Sequence, residues 1–291
     1  MTITAAQVSE LRKTTDCGMM DCKKALIESN GDMEKAIQIL REKGIAKAAN
    51  KASRIAAEGA IQLMVSDDSH QAVMIEVNSE TDFVARDENF VQFAKKVVEL
   101  ALANQVTDIE TLSSLKVDAE KTVEEVRQAL VAKLGENIGL RRVAYINSDD
   151  IIEGYLHGSK IGVLVVLKGG DKTLAKDLAM HIAASKPEVI SADQVSAESI
   201  EKEKEIYRVQ AAESGKPADI IEKMVEGRVK KYLNEVCLLG QPFVKDPDIS
   251  VQQLLEKNHA NVELFIRYEL GEGIQKKVDN FVEEVMAQTR A

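Results

Sequence analysis

Apolar residues in the first forty-four positions recur at the 3.6-residue spacing of amphipathic helices, in three separate stretches. Thr4 and Gln7 form a capping-box pattern that predicts where the first helix begins. Asp16-Cys17-Gly18 and Asn30-Gly31-Asp32 interrupt the pattern, because glycine, Asn and Asp are typical of helix ends and of new caps. We therefore predict three short helices, followed by a basic helical linker at residues 47–52.

The second of these helices is predicted to carry two adjacent methionines, Met19 and Met20. A bundle of about forty residues can bury only a small core. Methionine in such a bundle usually fills the core, although it is also common at adaptable binding surfaces. We expect core filling, with a partner-binding surface as the alternative.

The middle of the chain contains two weakly similar copies of a strand–strand–helix pattern. The first copy opens with Glu58-Gly59 and has an apolar strand at 73–77. The second copy opens with Glu153-Gly154 and has an apolar strand at 161–167. This order predicts two subdomains of similar design, each with a small antiparallel sheet and helices on one face.

The two copies differ where the apolar strand meets the following helix. The second copy has only Gly169-Gly170-Asp171 there, whereas the first has an additional stretch that includes Thr81, Asp82, Phe83 and Val84, called here the 81–84 segment. Connections of this kind are usually two to six residues of polar turn chemistry, and ordinary packing has little use there for a ring beside an acid. Because the shared fold does without these residues, we expect them to act against another protein.

Residues 188–231 follow a third pattern, with many charges and a sparse apolar seam. Two helices joined at Ser214-Gly215-Lys216-Pro217 would form an antiparallel hairpin inserted into the second subdomain. The spacing of Val278, Phe281, Val282 and Val285 predicts a terminal amphipathic helix over 274–288.

Together these patterns predict an α+β protein with two repeated subdomains, an inserted helical hairpin and a C-terminal helix. Its N-terminal three-helix module resembles ubiquitin-associated domains. The predicted boundaries are 1–55 for this module and its linker, 56–140 for the N-terminal core subdomain, 141–187 with 232–270 for the C-terminal core subdomain, 188–231 for the hairpin, and 271–291 for the C-terminal helix module.

Charge and composition narrow the range of functions. The formal net charge is −10, and phosphate neutralisation needs a concentrated basic surface, so we expect no direct binding of nucleic acid. No apolar stretch approaches the ~18 residues needed to span a membrane, and the N-terminus lacks a secretory pattern. The three cysteines have no metal-binding spacing and fit a reducing compartment. We expect a cytoplasmic protein without membrane contact.

The chain also lacks the motifs of common nucleotide-binding and hydrolytic sites. It contains no GxxxxGKS/T loop, no GxSxG elbow and no HExxH. Each histidine stands without a second metal ligand at a suitable spacing: His70, His157, His181 and His259. We therefore expect no catalytic residues, no metal site and no cofactor, and a small-molecule enzyme is disfavoured.

A series of short motifs runs in order through almost the whole chain. They are Gly18-Met19-Met20 with Asp21-Cys22-Lys23-Lys24-Ala25-Leu26, Thr81-Asp82-Phe83-Val84, Leu134-Gly135-Glu136-Asn137-Ile138 with Arg141-Arg142, His157-Gly158 before Ile161-Gly162-Val163-Leu164-Val165, Ala183-Ala184-Ser185-Lys186-Pro187, Ser214-Gly215-Lys216-Pro217, Lys223-Met224-Val225-Glu226-Gly227-Arg228, and Gly240-Gln241-Pro242-Phe243-Val244. Each motif is weak alone, but their number and order are specific. In this series the chain resembles the elongation factor Ts family almost from end to end.

The resemblance implies a guanine-nucleotide exchange factor of elongation factor Tu, not an enzyme. It implies that the N-terminal module docks on the partner's GTPase domain, and that the 81–84 segment disturbs the partner's magnesium site so that GDP leaves. It also implies that the second subdomain contacts the partner's third domain. The other partner-binding residues implied are Met19, Met20, Lys23, Leu134, Gly135, His157 and Val244.

The inserted hairpin resembles the family's dimerisation region, which implies a homodimer or a 2:2 complex with the GTPase. Two positions depart from many relatives: Cys17, where a smaller residue is common, and Lys245, where some have an apolar residue. One alternative of a different class is an adaptor built on the ubiquitin-associated-like module, whose core only scaffolds a helical dimer. That alternative has no use for Phe83 at a strand–helix junction.

Overall fold

The computed structural model describes residues 3–15, 17–212 and 217–275, and it shows an α+β protein, as predicted. Among these residues the chain divides into two compact units. The first comprises residues up to 62, residues 75–143 and those from 269 onward; the second comprises residues 63–74 and 144–268. The domain boundaries drawn from the sequence stay predictions.

The N-terminal bundle, in the first unit, has the three helices expected from the apolar spacing. They are α1 (Ala5–Thr15), α2 (Met19–Glu28) and α3 (Met33–Lys51). Thr4 and Gln7 form the predicted reciprocal cap: each backbone N–H donates to the other side chain, at 3.0 Å for Thr4 and 3.3 Å for Gln7. The bundle's core consists of Val8, Leu11, Cys22, Ala25, Leu26, Ala36 and Leu40.

The expected linker at 47–52 is helical, but it is the last part of α3 and not a separate connection. No proline or cap interrupts the helix after Met33. The C-terminal half of α3 also packs on another helix, α7 (Val123–Leu134). Arg41 pairs with Glu125, and Lys51 donates to the Gly135 carbonyl. This packing keeps the helix intact beyond the bundle.

Two three-stranded sheets carry the repeat. One has the order β1-β2-β3, with β1 (Glu58–Val65), β2 (Gln71–Ser79) and β3 (Ile138–Asn147). The other has the order β4-β5-β8, with β4 (Ile151–His157), β5 (Ile161–Lys168) and β8 (Asn261–Glu269). The strands β4 and β5 run antiparallel, with Ile151 opposite Leu167 and His157 opposite Ile161. A two-stranded ribbon pairs β6 (Pro242–Phe243) with β7 (Asp246–Ser250).

The remaining helices follow the predicted order with a few additions. They are α4 (Asp82–Ala85), α5 (Glu88–Ala103), α6 (Ile109–Ser114), α8 (Lys172–Ser185), α9 (Ala197–Ala212), α10 (Ala218–Val236) and α11 (Val251–Lys257). The helix α7 begins at Val123, because Thr122 and Glu125 form a capping box there. The short α6, α11 and β6–β7 escaped prediction, since elements of this length show too few periods to be recognised.

The second unit has a continuous apolar core. Its members are buried residues of β5 and α8 together with residues from the later elements: Val163, Val165, Leu167, Leu174, Leu178, Ile182, Leu238, Phe243, Val251, Leu255 and Val262. The apolar strand at 161–167 was therefore predicted correctly. In this unit α9 and α10 pack together as the expected helical hairpin. The predicted turn at 214–216, like most of the C-terminal helix over 274–288, lies outside the described residues.

The Glu-Gly pair that opens each copy of the repeat has a steric basis in the structure. A Cβ at Gly59 would overlap the carbonyl oxygen of Val77 and lie 2.7 Å from the Cα of Asn78. A Cβ at Gly154 would lie 2.7 Å from Leu63 Cδ1. At Gly59 the close neighbour is backbone, which leaves no room for a side chain, whereas at Gly154 it is the end of the Leu63 side chain, which can shift.

Candidate functional site

The 81–84 segment forms most of the four-residue helix α4, between β2 and α5. Thr81 caps this helix and accepts a hydrogen bond from the Val84 N–H at 3.4 Å. No residue of α4 is buried. None of its side chains supplies a buried contact, and hydrogen bonds hold it at both ends, including those from the Arg86 and Asp87 N–H groups to the Phe83 and Val84 carbonyls at 3.2 and 3.0 Å.

Phe83 projects into solvent with 81% of its surface exposed, more than any other large hydrophobic residue that the structure describes. Beside it, Asp82 pairs with Arg86 at 2.9 Å across one exposed helical turn. A fully buried phenyl ring gains roughly 1.5–3 kcal/mol, and in the free protein this gain is not realised. The arrangement presents an exposed apolar ring next to a carboxylate.

The start of α4 is fastened by a residue that sequence reasoning did not single out. Glu136 accepts hydrogen bonds from the Thr81 N–H at 2.9 Å and from the Thr81 hydroxyl at 2.7 Å. Glu136 lies in the 134–138 motif, but only its two neighbours were assigned a role. The Thr81 carbonyl in turn accepts from the Ser79 hydroxyl at 2.9 Å. Only the spatial pairing identifies Glu136, since fifty-five positions separate it from Thr81.

Leu134 and Gly135 lie at the end of α7, next to Glu136 in the chain. Gly135 ends the helix in the left-handed conformation, with φ 80°, a position that favours glycine. Leu134 is half-buried, and Gly135 is exposed. In the free protein these two residues therefore shape the turn that delivers Glu136 to Thr81.

One face of α2 is apolar and exposed, which overturns the expectation that the methionines fill the core. Met19 and Met20 are 59% and 62% exposed, and Ile27 is 56% exposed. Lys23 lies exposed between them. The core side of α2 needs only Cys22, Ala25 and Leu26, because the bundle is so small. We call Met19, Met20, Lys23 and Ile27 the α2 face.

The other two predicted contact residues, His157 and Val244, belong to the second unit. His157 is exposed at the end of β4, where its Nδ1 lies 3.2 Å from the Tyr155 hydroxyl. Val244 follows β6 and is 47% exposed. Lys245, the residue that departs from some relatives, pairs with Asp177 at 2.6 Å. Lys245 therefore has a partner within its own unit.

A buried histidine that the sequence did not distinguish holds the loop of Val244. His181 Nδ1 accepts from the Val244 N–H at 3.2 Å, and its Nε2 lies 2.9 Å from Gln241 Oε1. The Gln241 amide nitrogen donates to the Glu235 carbonyl at 2.6 Å. Burial lowers the pKa of His181 below its ordinary value of 6.5, so the neutral ring is favoured. The spacing of Leu178, His181 and Ile182 on one helix face was the available signal.

We expect acid to weaken this loop through His181. The folded pKa lies below the unfolded value, so the unfolded chain binds more protons below about pH 6.5 and the contribution is lost as pH falls through the folded pKa. Protonation would also place a proton on Nδ1, facing the Val244 N–H. Urea unfolding of His181→Gln between pH 7.5 and 5 should show a smaller loss of unfolding free energy than wild type. An equal slope for His181→Gln and for wild type would contradict the assignment.

The one fully buried carboxylate of the described residues belongs to a structural network. Desolvation would raise the pKa of Glu76, but hydrogen bonds from the Gly271 N–H, Asn78, Arg141 and Arg142 outweigh it and lower the pKa. The Arg142 Nε lies 2.6 Å and the Arg141 Nη1 2.9 Å from this carboxylate. A satisfied, charged group of this kind has no free lone pair facing a cavity. It stabilises the first unit and offers no general acid or base.

No group of three or more acidic, His or Cys side chains suited to a metal ion occurs within residues 3–15, 17–212 and 217–275. In the same part of the chain, no helix has the length and apolar character required to cross a membrane. The residues predicted to contact a partner lie at exposed or half-buried positions: the 81–84 segment and the α2 face in the first unit, His157 and Val244 in the second.

Comparisons with known proteins point to one family. The family model described as Elongation factor TS matches residues 80–272. The chain is similar to the elongation factor Ts of Legionella pneumophila (strain Paris), with 59% identity over 289 residues covering 99% of each chain. It is also similar to those of Thioalkalivibrio sulfidiphilus, with 56% identity over 100% of this chain and 99% of that one, and Methylococcus capsulatus, with 54% identity over 100% of both.

Proposed function

This chain belongs to the elongation factor Ts family, and from that premise we propose that it is the guanine-nucleotide exchange factor of elongation factor Tu. It binds elongation factor Tu carrying GDP and promotes GDP release so that GTP can bind. In this role it is a binding protein and not an enzyme, without catalytic residue, metal or cofactor of its own. It acts in the cytoplasm, independently of nucleic acid and membrane.

The observation that carries this proposal is the exposure of Phe83 on a helix that is fastened at its start. The ring is 81% exposed, although burial is the normal fate of phenylalanine. The fold of the repeat does not need the 81–84 segment, since the second copy connects strand to helix by a short turn between β5 and α8. An exposed ring on a fastened support fits insertion into a partner.

The proposed action is displacement of the partner's magnesium ion. A bound Mg²⁺ is the largest local countercharge to the phosphates of GDP, so moving it weakens nucleotide binding. Phe83 would enter between helices of the partner while Asp82 lies alongside. Because binding of the factor and of the nucleotide are coupled reciprocally, a new nucleotide expels the factor again.

Phe83 alone cannot supply the free energy that exchange requires. Shifting an equilibrium from 1:99 to 99:1 takes ~5.5 kcal/mol of differential affinity, whereas burying one phenyl ring contributes roughly 1.5–3 kcal/mol. The remainder must come from further contacts. The α2 face would dock on the GTPase domain. Leu134 and Gly135, which precede Glu136 and lie close to the 81–84 segment, would add contacts there. His157 and Val244 would contact the partner's third domain.

We propose that the hairpin of α9 and α10 mediates a homodimer or a 2:2 complex with elongation factor Tu. Its apolar residues are only partly used within the hairpin: Ile206, Val209 and Ile220 are 48%, 60% and 41% exposed. Within the hairpin Ala211, Val225 and Val229 are buried, and polar contacts such as the Arg208–Glu222 ion pair at 3.0 Å also join the two helices. The exposed apolar residues are then available to a second hairpin.

The test of the proposed function is nucleotide release from elongation factor Tu. Catalytic amounts of the folded chain should accelerate the release of a fluorescent GDP analogue in stopped-flow measurements with excess unlabelled GDP. Release at the spontaneous rate, with protein shown to be folded by circular dichroism, would refute the exchange function. That result would favour the adaptor alternative, which predicts a partner other than a GTPase.

A further inference from the structure

We propose that Glu136 is a positioning residue for nucleotide release, and that its carboxylate helps to set the direction in which the Phe83 side chain points into solvent. The inference rests on the proposed function, because the readout is nucleotide exchange. It assigns to Glu136 a role exerted through the 81–84 segment, with no contact between Glu136 and the nucleotide.

The geometry at Thr81 is that of a two-point attachment. Glu136 Oε2 accepts from the Thr81 backbone N–H at 2.9 Å, and Oε1 accepts from the Thr81 hydroxyl at 2.7 Å. The first hydrogen bond restrains the backbone of Thr81 and the second restrains its side chain. Thr81 therefore cannot turn about one hydrogen bond without breaking the other. Hydrogen bonds to a charged acceptor are shorter and stronger than those between neutral groups.

This attachment matters because it is the fastening of the start of α4. The helix has four residues, none of them buried, and its internal cap bond from Val84 to Thr81 is long, at 3.4 Å. A helix of one turn has almost no stability of its own. At its other end, the N–H groups of Arg86 and Asp87 donate to the Phe83 and Val84 carbonyls at 3.2 and 3.0 Å, just before α5. The direction of Phe83 therefore depends on both ends of the helix, and at the start it is Glu136 that holds Thr81.

Three contacts of the next residue, Asn137, connect the position of Glu136 to the end of α3. The Asn137 N–H donates to Glu80 Oε1 at 2.6 Å, so the residue before Thr81 and the residue after Glu136 are also joined. The Asn137 side-chain amide donates to the carbonyls of Arg54 at 2.8 Å and Ala52 at 3.3 Å, just after α3. The start of α4 is thus tied to the chain that leaves the bundle bearing the α2 face. When the α2 face is docked, this connection keeps the Phe83 side chain at a fixed position relative to the partner.

Glu136→Ala should therefore lower the rate of the exchange step more than the affinity for the partner. With increasing concentrations of the factor, the plateau of GDP release from elongation factor Tu should fall by roughly tenfold, while the half-saturating concentration changes less than about twofold. The matched control is Asp108→Ala. Asp108 likewise accepts from the backbone N–H and the hydroxyl of one threonine, Thr111, at 2.7 and 2.8 Å, but at the start of α6. Its plateau should equal that of wild type.

The coupling to Phe83 separates positioning from general destabilisation. In a Phe83→Ala background, Glu136→Ala should lower the plateau by less than about twofold, because the group that it positions is absent. Glu136→Gln should restore most of the rate, since the amide oxygen can accept from the Thr81 N–H while its NH₂ donates to the Thr81 oxygen. If Glu136→Ala fails to fold, Thr81→Ala provides a second test, because it removes the hydroxyl contact to Glu136 together with the 3.4 Å cap bond from the Val84 N–H, while the Thr81 N–H can still donate to Glu136. Full, independent effects of the two substitutions would overturn the role of Glu136; an unchanged Phe83→Ala plateau would instead refute the proposed role of the 81–84 segment.

Discussion

Phe83→Ala is expected to lower the plateau rate of GDP release from elongation factor Tu by roughly 10- to 100-fold. This range corresponds to the 1.5–3 kcal/mol that burial of a phenyl ring contributes, with tenfold for each 1.4 kcal/mol. The substitution should leave the free energy of unfolding within about 0.5 kcal/mol of wild type, because the ring is 81% exposed and makes no core contact. Asp82→Ala combined with Phe83→Ala should lower the rate further while substantial affinity for the partner remains.

Two comparisons make this prediction specific. Leu264→Ala removes another exposed large hydrophobic side chain, which is 42% exposed in the second unit. This variant should promote GDP release at the wild-type rate. Met19→Ala with Met20→Ala should raise the half-saturating concentration and leave the plateau near that of wild type, since the α2 face is proposed to bind and not to displace. A double Asp82/Phe83 variant that exchanges as fast as wild type would show that the 81–84 segment has been assigned wrongly.

Gly59→Ala is expected to cause the largest loss of stability of any single substitution considered, more than about 3 kcal/mol. The backbone of Gly59 has φ 132°, a region that residues with a side chain rarely adopt, and such strain costs on the order of 1–3 kcal/mol. The new Cβ would in addition overlap the Val77 carbonyl oxygen, which is backbone and cannot swing aside. Accommodating it would separate β1 from β2 at the base of the 81–84 segment.

Urea unfolding followed by circular dichroism would measure this loss, with two graded controls. In Gly139→Ala the added Cβ has no heavy atom within 4 Å, so its unfolding midpoint should match or exceed that of wild type. Gly154→Ala meets the ends of two leucine side chains, Leu63 at 2.7 Å and Leu164 at 3.2 Å, which can shift, so its loss should be intermediate. A Gly59→Ala protein as stable as Gly139→Ala would contradict the steric reason given for the Glu-Gly pairs.

The features predicted correctly are those specified by residues close together in the chain. The reciprocal cap of Thr4 and Gln7 needs only a three-residue separation, and the apolar strand at 161–167 is buried as its composition indicates. The unusual connection at Thr81–Val84 could be recognised by comparing the two copies of the repeat. The end of α3 was harder to place, because its last turns are stabilised by α7, a helix more than seventy residues later in the chain.

The residues that sequence reasoning missed depend on contacts between distant positions. Glu136 reads as an ordinary acid after a helix-ending glycine until the fold places it against Thr81. His181 reads as a single histidine until its ring is found between Gln241 and the Val244 N–H. The α2 face was misjudged for a related reason. Periodicity shows that a helix has apolar residues, but when the apolar stripe is too wide for a small core, only packing decides which of them stay outside.

By itself the sequence determined the class of fold, the order of its main elements, the family and the segment that sets the two repeat copies apart, because periodicity, caps and motif order are local properties of the chain. The tertiary structure alone decided how that segment is held and which of its side chains are exposed. It left the ring of Phe83 in solvent, fastened Thr81 to Glu136, and exposed Met19 and Met20. These outcomes depend on which surfaces come into contact when the chain folds. A long-range hydrogen bond or a buried side chain contributes free energy only once residues distant in the sequence are in contact.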